Sequence, residues 1–160
     1  MNVLLADGTF TQWRWRIVRD EAPAQPHDVL PLARYRTLAC RDAVALWLAP
    51  GDRPEEAAAF LPQLPLVAID FPQFKDGRGY SLASILRTRY RYGGELCAIG
   101  EVLIDQLFYL KRVGFTAFAL RADQDPHAAR AALAAFSQSY AGAVHPALPH
   151  FRRNLSGALP

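Results

Sequence analysis

The sequence predicts an α/β protein in which about four consecutive βα units form a mostly parallel sheet, preceded by a small N-terminal β-hairpin. Three observations predict it. Strand-like runs of five to seven residues recur at Ala43–Ala49, Leu66–Phe71, Glu95–Ile99 and Phe115–Leu120, with the apolar continuity expected of strands covered on both faces. Segments of helical spacing separate them. The total of 160 residues is short of the roughly 250 that a closed eight-unit barrel takes, so an open wound sheet or a half-barrel fits.

In chain order, Val3–Ala6, the turn pair Asp7-Gly8 and Thr11–Val18 read as a hairpin over residues 1–21. Residues 22–39 read as a proline-rich connector and a short helix from about Leu30 to Leu38, with Asp28 as a possible cap. Residues 40–142 carry the βα units. Pro54-Glu55-Glu56 opens the first helix, where proline and acidic residues suit the first turn. Ser81–Arg91 places Leu82, Ile85 and Leu86 at helical spacing. Glu101–Val113 ends at Gly114, a left-handed cap, with Lys111 and Arg112 in its last turn. Pro126–Tyr140 is an alanine-rich helix, and the tail 143–160 is punctuated by prolines. Strands alternating with helices imply parallel pairing with right-handed crossovers in a single domain over 1–160.

Composition narrows the function classes. The hydrophobic fraction is 51% and the charged fraction 21%, values of a globular chain. The longest apolar run, Ala43–Ala49, is far below the roughly 20 residues of a membrane span. The start, MNVLLADGTF, lacks the basic and long apolar regions of a secretory signal. Two distant cysteines, Cys40 and Cys97, make no disulfide framework, and the expected location is the cytoplasm. A net charge of +3 is a weak signal. Arginines interleaved with aromatics in Leu86–Tyr92 and Trp13–Arg16 suit single-stranded nucleic acid, but a helix end and a half-buried strand explain them better, so nucleic acid is an unexpected partner.

In parallel α/β folds, ligands bind where the strand-to-helix loops gather, at the carboxyl ends of the strands. The carboxylates expected near there, Asp70, Asp76, Glu101 and Asp105, are the candidate catalytic groups. The loop Phe71–Ser81 stands out. Gly77, Gly79 and Ser81 precede a helix start beside Lys75 and Arg78. Free backbone N–H groups, the helix dipole and two cations make Lys75, Gly77, Arg78, Gly79 and Ser81 a candidate anion site. An Asp76-Gly77 turn followed by a serine cap explains the same residues structurally. Leu82 stands where a dinucleotide fingerprint needs its third glycine.

A wheel projection of 101–113 puts Glu101, Asp105, Phe108 and Arg112 on one stripe, with Leu103, Leu107 and Leu110 opposite. Phe108 and Arg112 are therefore a candidate partner surface. Gln106 falls on the apolar side, where it needs hydrogen bonds. His27, His127, His145 and His150 have no ligand-like spacing, so no metal site is expected. Cys97 lies within a strand as a small buried hydrophobe. No cofactor motif is present, so no cofactor is expected.

The stretches DFPQFKDGRGYSLA from Asp70 and GELCAIGEVLIDQLFYLKRVGF from Gly94 resemble a bacterial family of unknown function whose members are labelled as oxidoreductases involved in sulfite reduction. The resemblance marks Asp70, Phe74, Asp76, Gly77, Arg78, Gly79, Gly94, Glu95, Gly100, Asp105, Gln106 and Gly114. It departs at Cys97, where arginine is common in the family, and at Val113, where cysteine is. The resemblance implies an accessory protein of assimilatory sulfite reduction that binds sulfite reductase or aids electron delivery. The alternative is a small enzyme acting on an anionic substrate at the strand ends.

Overall fold

The computed structural model describes residues 2–135, 141–145 and 148. Its strands are β1 (Asn2–Leu5), β2 (Phe10–Gln12), β3 (Arg16–Ile17), β4 (Asp28–Pro31), β5 (Ala45–Leu48), β6 (Leu66–Phe71), β7 (Glu95–Gly100) and β8 (Ala117–Phe118). The helices are α1 (Leu32–Thr37), α2 (Pro54–Ala57), α3 (Arg78–Thr88), α4 (Leu107–Arg112) and α5 (Pro126–Ala134), with 3-10 turns at Leu61–Gln63 and Ile104–Gln106. The strands form one sheet in the order β2-β1-β8-β7-β6-β5-β4-β3. From β3 to β8 every pairing is parallel between sequence neighbours. At the other end β1 is antiparallel to both β8 and β2. The result is a mostly parallel sheet curled into a half-barrel.

The curl follows from chain length. β2 and β3 occupy opposite edges of the sheet, yet only Trp13, Arg14 and Trp15 separate them. Laid flat, eight strands at about 4.8 Å spacing would hold the edge strands some 34 Å apart. Four Cα steps from Gln12 to Arg16 reach at most about 14 Å. The sheet must therefore bend until its edge strands come within that reach.

Alternation along the strands sorts the side chains into two layers. The outer layer is the larger core: Leu30, Leu46, Leu48, Val67, Ile69, Phe71, Leu96 and Phe118 pack with Leu32 and Tyr35 of α1, Leu82 and Leu86 of α3, Leu107 and Leu110 of α4 and Leu133 of α5. The inner layer holds Trp13 and Trp15 against Val3, Val29, Leu66 and Ile99, with the small residues Ala45, Ala68, Cys97, Ala117 and Ala119. Those small side chains make the room that two indoles need. Inside this layer, burial pushes the Cys97 thiol well up, which leaves it inert as a nucleophile.

The segment that crosses between the edges is bonded to four neighbouring strands. Trp13 Nε1 donates to Glu95 Oε1 of β7 at 2.9 Å. Arg16 grips Asp28 of β4 through Nε and NH2 at 2.8 and 2.9 Å. Val18 O accepts from Trp47 Nε1 of β5 at 3.1 Å. Arg19 reaches Asp70 of β6.

Several elements differ from the sequence expectation. Thr11–Val18 is two short pairings, not one strand, because its halves pair with β1 and β4. Residues 28–31, expected as connector and as the start of the first helix, form β4, and α1 begins at Leu32; Asp28 is satisfied by Arg16 and the Gln25 N–H and caps no helix. The helix expected from Ser81 begins three residues earlier. The helix expected over 101–113 is a 3-10 turn followed by six residues of α4, so Leu103 is extended and half-buried while Leu107 and Leu110 are fully buried. Gly114 has the positive φ, 107°, that its role as a terminator requires. The end of the helix expected over Pro126–Tyr140 and most of the tail lie outside the described residues.

Arg16 beside Asp28 holds that carboxyl below its ordinary value. Its contribution to stability is therefore complete above about pH 4 and fades as pH falls through the lowered value. Asp28→Asn should cost stability at pH 7, and urea unfolding should show the gap to the native protein narrowing towards pH 2. A gap that stays constant with pH would show that the charge of Asp28 contributes nothing.

Candidate functional site

The carboxyl ends of the parallel strands form one mouth of the half-barrel. Asp70 shares a side of β6 with Leu66 and Ala68, so it continues the inner layer upward, and it is 5% exposed. Arg19 continues the series Trp13, Trp15, Ile17. It donates NH2 to Asp70 Oδ1 at 2.6 Å and NH1 to Oδ2 at 3.1 Å. Its guanidinium lies over the Trp47 ring, 5.1 Å from the centroid, and pairing with Asp70 raises its pKa further. Gly100 backs this pair. Its φ is +92°, and a Cβ there would fall 2.8 Å from Asp70 Oδ1 and 2.5 Å from Phe71 O. Only glycine fits, both for the backbone and for the space.

Glu101 and Arg121 stand on the same rim. Arg121 donates NH1 to Glu101 Oε2 at 2.8 Å, and Nε and NH2 to the two oxygens of Asp123 at 2.7 Å each. The pairing holds Asp123 well below the usual carboxylate range. Three of the four candidate catalytic carboxylates are thus matched to arginines: Asp70 to Arg19, Asp76 to Arg78 and Glu101 to Arg121. The fourth, Asp105, is exposed on the 3-10 turn.

The loop between β6 and α3 keeps its predicted ingredients but uses them differently. Arg78 is turned onto Asp76, with Nε to Oδ1 at 2.9 Å and NH2 to Oδ2 at 2.7 Å, which holds the Asp76 carboxyl low. Gly79 is buried in the first turn of α3, and a Cβ on it would meet the Phe71 ring at 2.5 Å. It is small for the ring's sake. Ser81 lies one turn inside the helix and is exposed, and Gly77 takes the N-cap without a side-chain bond. Lys75 and Gly77 are exposed. Gln106 ties this loop down: its Nε2 donates to Phe74 O at 3.2 Å and its Oε1 accepts from the Leu103 N–H at 2.9 Å. The polar group expected on an apolar face thus has its partners.

The surface expected from Phe108 and Arg112 is rearranged. Because the helix begins only at Leu107, Phe108 is half-buried and Tyr109 is 49% exposed. The Arg112 guanidinium lies 5.9 Å from both ring centroids and donates NH2 to Ala141 O at 2.7 Å. Tyr109 packs on Tyr80, Tyr80 on Phe71 and Phe71 on Phe115, with centroids 5.1, 5.3 and 5.9 Å apart. Phe74, 48% exposed, belongs to the loop that Gln106 holds beside α4. An aromatic and arginine patch thus rests on a stack of rings rooted in the core. Among the described residues, no three His, Cys, Asp or Glu side chains group as metal ligands, and no helix is long and apolar enough to cross a membrane.

Sequence reasoning did not single out Arg19 or Trp47. The signal for Arg19 was its parity: every second residue from Trp13 points inward, and 19 is the next in that series. Trp47 shares the side of β5 that Ala45 marks as inner.

A family model described as a bacterial protein of unknown function (DUF934) matches residues 45–151, and the chain belongs to that family. No curated protein and no solved structure matches it.

Gly100→Ala should lower the unfolding free energy by about 1–3 kcal/mol, since it strains the backbone and crowds Asp70. Gly77→Ala, at φ −79° with open space around it, should stay within about 0.5 kcal/mol. Chemical denaturation checks both, and equal effects would contradict the roles given to these two glycines.

Proposed function

We propose that this DUF934 protein is an accessory of assimilatory sulfite reduction that works by binding sulfite reductase through the Phe74–Tyr109–Arg112 surface. The observation that carries the binding mode is that patch: Tyr109, exposed, lies against Arg112, and Phe74, also exposed, belongs to the loop that Gln106 ties to the start of α4. Aromatic and arginine side chains on rigid support are what binding hot spots use, because little side-chain entropy remains to be lost on docking. The pathway comes from the resemblance of Asp70–Leu120 to a family labelled with sulfite reduction.

The carboxylates favour an accessory over a hydrolytic or proton-transferring enzyme. General acid–base work needs a carboxyl with a pKa moved towards neutrality. Here Asp76 is held low by Arg78. Trp13 and Trp15 pack in the inner layer, so the described residues of the barrel interior serve the fold.

Deleting the gene should abolish or slow growth on sulfate and on sulfite while growth on sulfide stays normal. Tagged protein should co-purify sulfite reductase, and Tyr109→Ala combined with Phe74→Ala should reduce the recovered partner about tenfold with the melting temperature unchanged. Normal growth on all three sulfur sources would contradict the pathway. Undiminished co-purification by the double variant would contradict the surface.

A further inference from the structure

We propose that Arg19 anchors a binding site for a small inorganic oxyanion at the carboxyl-end mouth of the half-barrel. This site is separate from the surface assigned to sulfite reductase and stands whether or not that docking occurs.

The first ground is the way Arg19 is held. A half-exposed arginine ordinarily samples many rotamers. This one has its two terminal nitrogens on Asp70 and its plane on Trp47, and Trp47 is itself fixed by its bond to Val18 O. Gly100 keeps clear the space the carboxylate occupies, since a Cβ there would fall 2.8 Å from Asp70 Oδ1. The guanidinium is therefore pre-set, with half of the side chain exposed (51%). A guanidinium has five N–H donors, and Asp70 takes two. The Nε–H makes no hydrogen bond among the described residues, so that edge can donate to an anion's oxygens in a planar fork.

The second ground is cost. Asp70 is buried with Arg19 as its one hydrogen-bonding partner among the described residues. Taking such a carboxylate out of water is expensive, and well-packed apolar residues hold a fold as well or better. A pair whose burial is poorly repaid in stability, placed at the strand ends where parallel βα folds bind their ligands, has its use in orienting the arginine. Of the other arginines in the strand-to-helix loops, Arg121 has Nε and both terminal nitrogens bonded to Asp123 and Glu101, and Arg78 has Nε and one terminal nitrogen on Asp76. Of these three, Arg19 is the one with its Nε–H edge unused.

Calorimetric titration of the full chain with sodium sulfate, sulfite, phosphate and acetate at constant ionic strength tests the site. At least one of the three inorganic anions should bind saturably below about 10 mM, and acetate more weakly. The Arg19 Nε–H resonance should shift during the same titration. Arg19→Gln should weaken binding about tenfold or more, but it strands Asp70 and threatens the fold. Arg19→Lys keeps the charge while losing the fork, and should weaken binding several-fold at an unchanged melting profile. Arg78→Gln should bind as the native protein does. Absence of saturable binding, an unmoved Arg19 resonance, or a loss that follows Arg78→Gln rather than Arg19→Lys would overturn the site.

Discussion

Three residues, Trp13, Arg14 and Trp15, join the two opposite edges of an eight-stranded sheet, and most of the structure depends on that span. The curl, the filled inner layer and the placement of Arg19 all follow from it. A chain that short cannot bridge a flat sheet, so the strands bend around whatever the crossing carries. It carries two indoles, and four alanines and a cysteine among the residues they pack with leave them room. The side chains of the crossing then reach outward in turn to β7, β4 and β6, while its backbone accepts a bond from β5. An edge-to-edge join thereby becomes a clasp holding four parallel strands in register.

The same clasp accounts for the charge pattern. Two of its arginines, Arg16 and Arg19, are matched by carboxylates buried in neighbouring strands, Asp28 at 1% and Asp70 at 5% exposure. Buried pairs of this kind fix geometry more than they add stability, and what they fix here is where the closing segment lies. At the carboxyl end that geometry presents a guanidinium to solvent. On the flank of α4 a different device, a stack of four rings from Phe115 to Tyr109, gives an exposed surface its rigidity.

The parallel sheet was legible because its strands are read from apolar continuity alone: Leu66–Phe71 is the strand the sequence predicts, residue for residue, whereas the choice between an open sheet and a half-barrel was not. β4 was not legible. Its four residues sit among prolines and gain their strand identity only from pairing with β3 and β5, which is long-range information. The closing role of residues 10–17 was hidden for the same reason, since the segment reads as one strand but changes neighbours midway. In the candidate anion loop the residue types were right and their use was not. Gly79 answers to Phe71 and Arg78 to Asp76, partners that the sequence places nearby without saying which way they face. Arg19 lies 51 residues from Asp70, and no local pattern joins them.

Lengthening the crossing tests the dependence most directly. Four glycines inserted between Gln12 and Trp13 would let the edges separate at a loop-closure cost of only about 1 kcal/mol. If the short span enforces the curl and seats the indoles, urea unfolding should instead show a loss of about 3–5 kcal/mol, comparable to removing a buried tryptophan, with the tryptophan emission of the folded protein moved to the red. An insertion that costs about 1 kcal/mol or less and leaves the emission unchanged would show that the sheet curls without the span.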